Sequence, residues 1–74
     1  MPEPVEPQLS PRQIECLRLA AAGHTSSEIA ARLGLSFRTV DQYVSEACAR
    51  LKVRNRTQAV AKAVKLGLLS DPPP

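Results

Sequence analysis

Residues 25–51, TSSEIAARLGLSFRTVDQYVSEACARL, contain two helical patterns of apolar residues, one on each side of the turn GLS at 34–36. Before the turn, three apolar residues share one side of a helix with 3.6 residues per turn: Ile29, Ala30 and Leu33. Gly34 ends this helix, because glycine adopts the left-handed dihedrals of a helix end without a side-chain clash. The chain is therefore expected to change direction sharply between two short helices.

The helix after the turn has two different sides. Ser36 begins it, since a serine hydroxyl at this position accepts a hydrogen bond from an otherwise unpaired amide, here that of Thr39 or of its neighbour. A step of about 100° per residue places an apolar set on one side: Val40, Tyr43, Val44, Ala47, Cys48 and Leu51. The opposite side collects Arg38, Asp41, Gln42, Ser45, Ala49 and Lys52. Such a face is either a solvated surface or a match to the DNA major groove, whose base edges present distinct donors and acceptors.

Two further helices are indicated by their end signals. Ser10 followed by Pro11 predicts a helix start, and the helix is expected to run over residues 11–22. Thr25 and Glu28 form a T-x-x-E capping box, which begins the helix over 26–33. The helix after the turn is expected over residues 37–51. A weaker capping pair, Asn55 with Gln58, predicts the start of the last helix, over residues 56–66. The predicted fold is all-α, a four-helix domain built around a helix-turn-helix.

The length of 74 residues allows one small domain. Residues 1–8 contain three prolines and no helical period, so we expect a disordered leader or linker. The domain is predicted over residues 9–70, and residues 71–74, DPPP, are expected to be a disordered tail.

The charge is concentrated in the predicted domain. The whole chain carries +3, and the ten cations and four carboxylates of residues 9–70 give +6. Six cations lie between residues 50 and 65 without a carboxylate: Arg50, Lys52, Arg54, Arg56, Lys62 and Lys65. A phosphate backbone is the natural partner of such a run, although a basic segment is also compatible with simple solvated surface.

Catalysis and metal binding are not expected. Cys16, His24 and Cys48 are too scattered for a zinc site, which needs closely spaced ligand pairs. The chain shows no glycine-rich phosphate loop, nucleophile elbow or paired carboxylates, so no enzyme and no cofactor are predicted. Because the cysteines follow helical patterns and no secretion signal or membrane-spanning segment is visible, an intracellular protein is expected.

The last helix carries small residues that permit close approach of another helix. Its apolar stripe completes the core of the monomer or forms a dimer contact, and the candidate dimerisation residues are Ala59, Val60, Ala63 and Val64. A two-fold dimer would place two reading helices about 34 Å apart and favour a near-palindromic DNA site.

Over residues 9–69 the sequence resembles the LuxR/GerE family of bacterial transcription regulators. The resemblance is carried by four pieces in order: LSPRQIECLRLAAAG at 9–23, T-x-x-E-I-A-x-x-L-G at 25–34, S-x-x-T-V at 36–40, and LKVRNRTQAVAKAVKLGLL at 51–69. It implies that the third helix enters the major groove and that the fourth mediates dimer contacts. The implied DNA-binding residues are Arg38, Thr39, Asp41, Gln42, Tyr43, Ser45, Arg50, Arg54, Asn55, Arg56 and Thr57.

Two positions depart from the family pattern, because many members carry lysine at the position of Asp41 and a basic or polar residue at that of Glu46. The carboxylate of Asp41 either accepts from a cytosine amino group or plays a local role, such as pairing with Arg38 one turn earlier. Tyr43 is either a core residue with its hydroxyl directed to a phosphate or purely core. Gln42 is the first candidate for base reading, because its amide can bond adenine at two atoms.

The function predicted from these observations is sequence-specific binding of double-stranded DNA for transcription regulation, by a homodimer on a near-palindromic operator. RNA polymerase is a further expected partner, no membrane is involved, and the location is cytoplasmic and associated with the nucleoid. The acidic residues Asp41 and Glu46 motivate the alternative, a helical module that binds another protein or inactivates a regulator.

Overall fold

A computed structural model of the chain describes residues 8–69, which fold into four helices and no strand. The helices are α1 (Pro11–Ala21), α2 (Ser26–Leu33), α3 (Phe37–Leu51) and α4 (Arg56–Lys65). The predicted all-α, four-helix fold is confirmed, and the bounds of α2 and α3 agree with the sequence analysis. α1 and α4 each end one residue earlier than expected, because Ala22 and Leu66 are the capping residues that close these helices.

The helix starts are fixed by side chains that bond free backbone amides. The predicted capping box of α2 is present: the Thr25 hydroxyl accepts from the Glu28 amide at 3.2 Å, and the Glu28 carboxylate accepts from the Thr25 amide at 2.8 Å. Ser36 caps α3 as predicted, by accepting from the Thr39 amide at 3.1 Å. A second box joins Ser10 and Gln13 at the start of α1. The S-x-x-Q pattern of residues 10–13 was its signal in the sequence.

The turn between α2 and α3 has the geometry that its glycine predicts. Gly34 has φ 67° and ψ 34°, in the left-handed region, and the following amide, that of Leu35, donates to the Ala30 carbonyl at 2.9 Å. A hydrogen bond of the same kind ends α3, where the Val53 amide donates to the Cys48 carbonyl at 3.0 Å. The residue in the left-handed region there is Lys52, with φ 58°. Lysine at such a position is uncommon, because its Cβ crowds the following carbonyl.

The core consists of two clusters that meet at Cys48 of α3. The first joins α1, α2 and the first half of α3 through Cys16, Ile29, Ala30, Val40 and Val44. The second joins α1, the end of α3 and α4 through Leu17, Ala47, Leu51, Ala59 and Ala63, with Leu68 and Leu69 folded back onto it as expected. α3 therefore contacts all three other helices, and its inner side is fixed along its whole length.

The predicted disordered tail and all of the predicted leader except Gln8 lie outside the described residues. The carbonyl of Gln8 accepts a hydrogen bond from Arg50 of α3 at 3.1 Å. Among the helices of residues 8–69, none has the length and apolar content that crossing a bilayer requires.

Candidate nucleic-acid interface

The outer side of α3 is an exposed polar ridge. Its inner side is held by the core residues Val40, Val44, Ala47 and Leu51, so the residues on the opposite side of the helix face solvent. The ridge consists of Arg38, Gln42, Ser45 and Ala49, all exposed. Within the described chain, none of the side chains of Arg38, Gln42 and Ser45 has a protein partner. These guanidinium, amide and hydroxyl groups are available to bind a ligand along about two turns of helix.

One flank of the ridge is the carboxylate of Asp41, which is bonded across the helix-turn-helix. The Ser26 hydroxyl, at the first residue of α2, donates to Asp41 Oδ1 at 3.3 Å. Ser26 Oγ in turn accepts from Arg56 Nη1 at 2.9 Å, and Arg56 Nη2 donates to the His24 carbonyl. The local role considered for Asp41 is therefore filled by Ser26, and no ion pair joins Asp41 to Arg38 in the described part of the chain.

The other flank of the ridge is Glu46, which is tied to α1. The buried amide of Gln13 donates from Nε2 to Glu46 Oε1 at 3.2 Å. At about 100° per residue, Gln42 and Ser45 project between the directions of Asp41 and Glu46. Both acidic side chains of α3 are thus engaged by neighbouring helices on opposite sides of the ridge. Asp41 and Glu46 are the residues that motivate the alternative function, a helical protein-binding module, which stays a hypothesis.

The basic run of residues 50–65 divides into outward and inward cations. Arg50, Lys52, Arg54 and Lys65 are exposed. Arg56 is directed inward, and Lys62 Nζ donates to the Leu51 carbonyl at the end of α3, at 2.8 Å. The charge that a phosphate backbone meets is therefore carried by fewer side chains than the sequence indicates. No local pattern signals this division, because it depends on where α4 packs.

The remaining predicted contact residues have mixed surroundings. Tyr43 is half-buried and packs against the first core cluster, and Thr39 is half-buried with its hydroxyl accepting from that of Ser36 at 2.9 Å. Asn55 caps α4 by accepting from the Gln58 amide at 2.9 Å, and Thr57 is exposed. The capping pair is incomplete relative to the expectation.

The side chain of Gln58 bonds the backbone one residue before the one expected from a capping pair. Gln58 Oε1 accepts from the backbone of Arg54 at 2.9 Å, and not from that of Asn55. Because Gln58 belongs to α4, this bond fixes the backbone that carries the exposed Arg54 side chain.

The four candidate dimerisation residues do not share one exposed face. Ala59 and Ala63 are fully buried in the second core cluster and so cannot contact a partner. Val60 is half-buried, and Val64 is 58% exposed, which is unusual for a large apolar side chain. Ala59 and Ala63 thus complete the monomer core, and Val60 and Val64 lie toward the surface with the exposed Ala61.

The described residues also contain two cysteines and open surface depressions. Burial raises the pKa of the Cys16 and Cys48 thiols, so both are poorer nucleophiles than an exposed cysteine. Two open depressions, of about 340 and 280 Å³, are lined by residues of 15–33. Within residues 8–69 no group of three His, Cys, Asp or Glu residues is placed to hold a metal ion.

Comparison with known proteins identifies this arrangement. A family model described as "Bacterial regulatory proteins, luxR family" matches residues 7–63. The quorum sensing-dependent transcriptional regulator VjbR of Brucella ovis is 45% identical over 64 residues, which cover 86% of this chain and 25% of VjbR. The chain thus spans about a quarter of the length of such relatives.

Solved structures give the same result. The structure of the transcription factor GerE superposes with a TM-score of 0.76 at 29% identity, covering 80% of this chain and 88% of GerE. A Vibrio cholera VqmA complex with ligand and DNA gives a TM-score of 0.81 at 25% identity, covering 99% of this chain and 32% of VqmA. The fold and the helix-turn-helix are therefore those of DNA-binding transcription regulators.

Proposed function

Since the chain belongs to the LuxR family of bacterial regulatory proteins, we propose that it binds double-stranded DNA sequence-specifically, with α3 in the major groove. The observation that carries the proposal is the exposed ridge of Arg38, Gln42 and Ser45, held outward by a fully packed inner side. A major groove admits one helix, and a glutamine amide recognises adenine at two atoms. The N-terminal half of a recognition helix is the part that reaches base edges, and Arg38 and Gln42 lie there, with Ser45 just past the middle of α3.

Phosphate contacts are proposed for the exposed cations around the end of α3. Arg50, Lys52 and Arg54 lie within five residues of each other, and their side chains extend into solvent, that of Arg50 after bonding Gln8. Each lysine or arginine that neutralises a phosphate releases condensed counterions, so the affinity falls with salt. These contacts position the protein on DNA, whereas Gln42 and Ser45 select the sequence.

The experiment that tests this function is selection of duplexes from a random pool, followed by titration of the selected duplex at several salt concentrations. We expect one enriched motif and a log-log salt slope of about 0.9 per neutralised phosphate. Arg54→Ala should lower that slope, while Ser27→Ala, an exposed serine outside the proposed interface, serves as the matched control. A pool that shows no enrichment, together with binding that is indifferent to salt, would refute the proposal.

We also propose that α4 supplies a homodimer contact through Val60, Ala61 and Val64. The exposed apolar side chain of Val64 gains from burial against a second copy, and two-fold pairing presents two α3 helices to a near-palindromic site. Val64→Asp should abolish cooperative binding to a two-half-site duplex and leave affinity for a single half-site unchanged. Equal loss on both duplexes would contradict a dimer role for α4.

A regulator of this type acts in the bacterial cytoplasm, at the nucleoid, by binding and without catalysis. RNA polymerase is the further partner we propose, because control of transcription requires that the bound protein recruit or obstruct it. Transcription from a template carrying the selected motif, with and without the protein, tests that step.

A further inference from the structure

We propose that Arg56, Ser26 and Asp41 form a positioning chain that seats α3 and removes the Asp41 carboxylate from base reading. The proposal rests on the DNA-binding function above and assigns roles within it. Arg56 is the first residue of α4, Ser26 the first residue of α2, and Asp41 lies in the second turn of α3. One connected set of hydrogen bonds therefore joins three helices beside the ridge that faces DNA.

The chemistry of the three groups fixes which of them donates and which accepts in each hydrogen bond. A guanidinium only donates hydrogen bonds and a carboxylate only accepts them, so the Ser26 hydroxyl accepts from Arg56 at 2.9 Å and donates to Asp41 at 3.3 Å. A hydroxyl between a cation and an anion is polarised by both, which strengthens each bond. Ser26 is itself buried, which shields its hydroxyl from competing water, whereas the Asp41 side chain that it bonds is exposed.

The position of Arg56 distinguishes it from a phosphate contact. Its two terminal nitrogens bond different atoms, the Ser26 hydroxyl and the His24 carbonyl, which uses two of the five N–H donors and holds the guanidinium against the protein. The residue is half-buried, whereas Arg54, two positions earlier, is exposed and has no side-chain partner within residues 8–69. Arg56 is thus placed to brace the start of α2 against α4, and through Ser26 to hold α3.

The consequence for Asp41 concerns specificity. A free carboxylate at this position would accept from the amino group of cytosine. Here the carboxylate is turned toward Ser26, so the adjacent base pair is read without it. Loss of the Ser26 hydroxyl should release Asp41 and give the protein a base preference that the natural chain lacks.

The first test changes the arginines to lysine, which keeps the charge and loses the two-pronged geometry. Arg56→Lys should bind the selected duplex roughly tenfold more weakly, because an ammonium group does not reproduce the two-pronged bonding to the Ser26 hydroxyl and the His24 carbonyl. Arg54→Lys is the matched control and should stay within roughly twofold, since a point charge serves a phosphate almost equally well. Circular dichroism establishes that both variants are folded. If Arg56→Lys bound like Arg54→Lys, Arg56 would be an ordinary phosphate contact and the proposal would be wrong.

The second test repeats the selection of duplexes with four variants of the full chain: Ser26→Ala, Ser27→Ala, Asp41→Asn and the double variant Ser26→Ala/Asp41→Asn. Ser26→Ala should gain a preference for cytosine at one base pair, and the double variant should lose it again. Asp41→Asn, which keeps the oxygen that Ser26 donates to, should select the natural motif, as should Ser27→Ala.

The outcomes separate this proposal from the function on which it rests. If the natural chain selected no motif, DNA reading itself would fail, and the positioning role with it. If it selected a motif that Ser26→Ala left unaltered, or that Asp41→Asn changed, only the positioning chain would be refuted. Should Ser26→Ala fail to fold, the affinity of Arg56→Lys measured against that of Arg54→Lys still decides the proposal, because that comparison leaves Ser26 and Asp41 unchanged.

Discussion

In the segment before α4, the side chains of Lys52 and Arg54 extend into solvent, whereas on α4 itself the cations of Arg56 and Lys62 donate to groups of the protein. The two pairs are separated by a few residues and carry the same charge. Lys52 and Arg54 lie in the connection that leaves the end of α3, whereas Arg56 and Lys62 lie on α4, which turns back and packs against α1 and α3. Lys65, the last residue of α4, is exposed like the cations of the connection. The inward cations bond carbonyls at the corners of the fold, and the outward ones remain available for phosphate.

The difference shows that a basic run in a sequence locates an interface only approximately. Counterion release depends on cations that reach phosphates, and a guanidinium bonded to a hydroxyl and a carbonyl of the protein is restrained from moving toward them. The outward cations are expected to determine salt dependence, and the inward ones stability. Substitutions at single positions in each group distinguish these two roles.

The largest expected effect is that of Arg56→Ala on folding. Hydrogen bonds to a charged group contribute about 1.5–3 kcal/mol each, and here the His24 carbonyl and the Ser26 hydroxyl both lose their donor. We expect the free energy of unfolding to fall by about 2–3 kcal/mol in urea titrations followed by circular dichroism. Arg54→Ala should change it by less than about 0.5 kcal/mol. Equal effects would remove the distinction between the two groups.

How far the sequence predicted this arrangement depends on the range of the interactions. Helix starts and ends were predictable because their signals are local: Thr25 with Glu28, Ser36 with Thr39, and the left-handed Gly34. The inner side of α3 followed from periodicity. The partners of Asp41 and Glu46 did not, because Ser26 and Gln13 lie 15 and 33 residues away and meet α3 only after packing. The residues of the exposed ridge were predictable, but the hydrogen bonds of the acidic residues on its two flanks were not.

Gln42→Ala tests the part of the interface that neither group of cations accounts for. The neutral amide contributes nothing to counterion release, and its two atoms match adenine. We expect a loss of about 1–3 kcal/mol in binding the selected duplex, loss of preference at one base pair, and an unchanged salt slope. Selection of duplexes by the variant provides the measurement. An unaltered motif would mean that a different side of α3 reads the bases.

Lys52→Gly separates charge from backbone geometry within the outward group. An L-residue in the left-handed region costs about 1–2 kcal/mol, and glycine costs about 0.5–1 kcal/mol in extra chain entropy, so the variant should be more stable by about 0.5–1 kcal/mol. If Lys52 binds phosphate, the salt slope should at the same time decrease by about 0.9. Urea titration and the salt titration measure the two quantities independently. A more stable variant with an unchanged slope would remove Lys52 from the proposed phosphate contacts.

The smallest effect concerns Glu28, which holds the same corner of the fold to which Arg56 is bonded. The hydrogen bond from the Thr25 backbone lowers the pKa of Glu28 from its usual value, and His24 lowers it further. A carboxylate with a lowered pKa in the folded state stabilises the fold above its unfolded pKa, and this contribution is lost as the pH falls through the folded value. Glu28→Gln keeps a capping oxygen but has no charge to lose. Between about pH 6 and about pH 3, the natural chain should therefore lose more stability than the Glu28→Gln variant. Urea titrations of both proteins at each pH give the difference, in which the other carboxylates cancel. Parallel losses would show that the ionised form of Glu28 adds nothing to the corner where α2 begins, leaving the bond from Arg56 to His24 as its principal anchor.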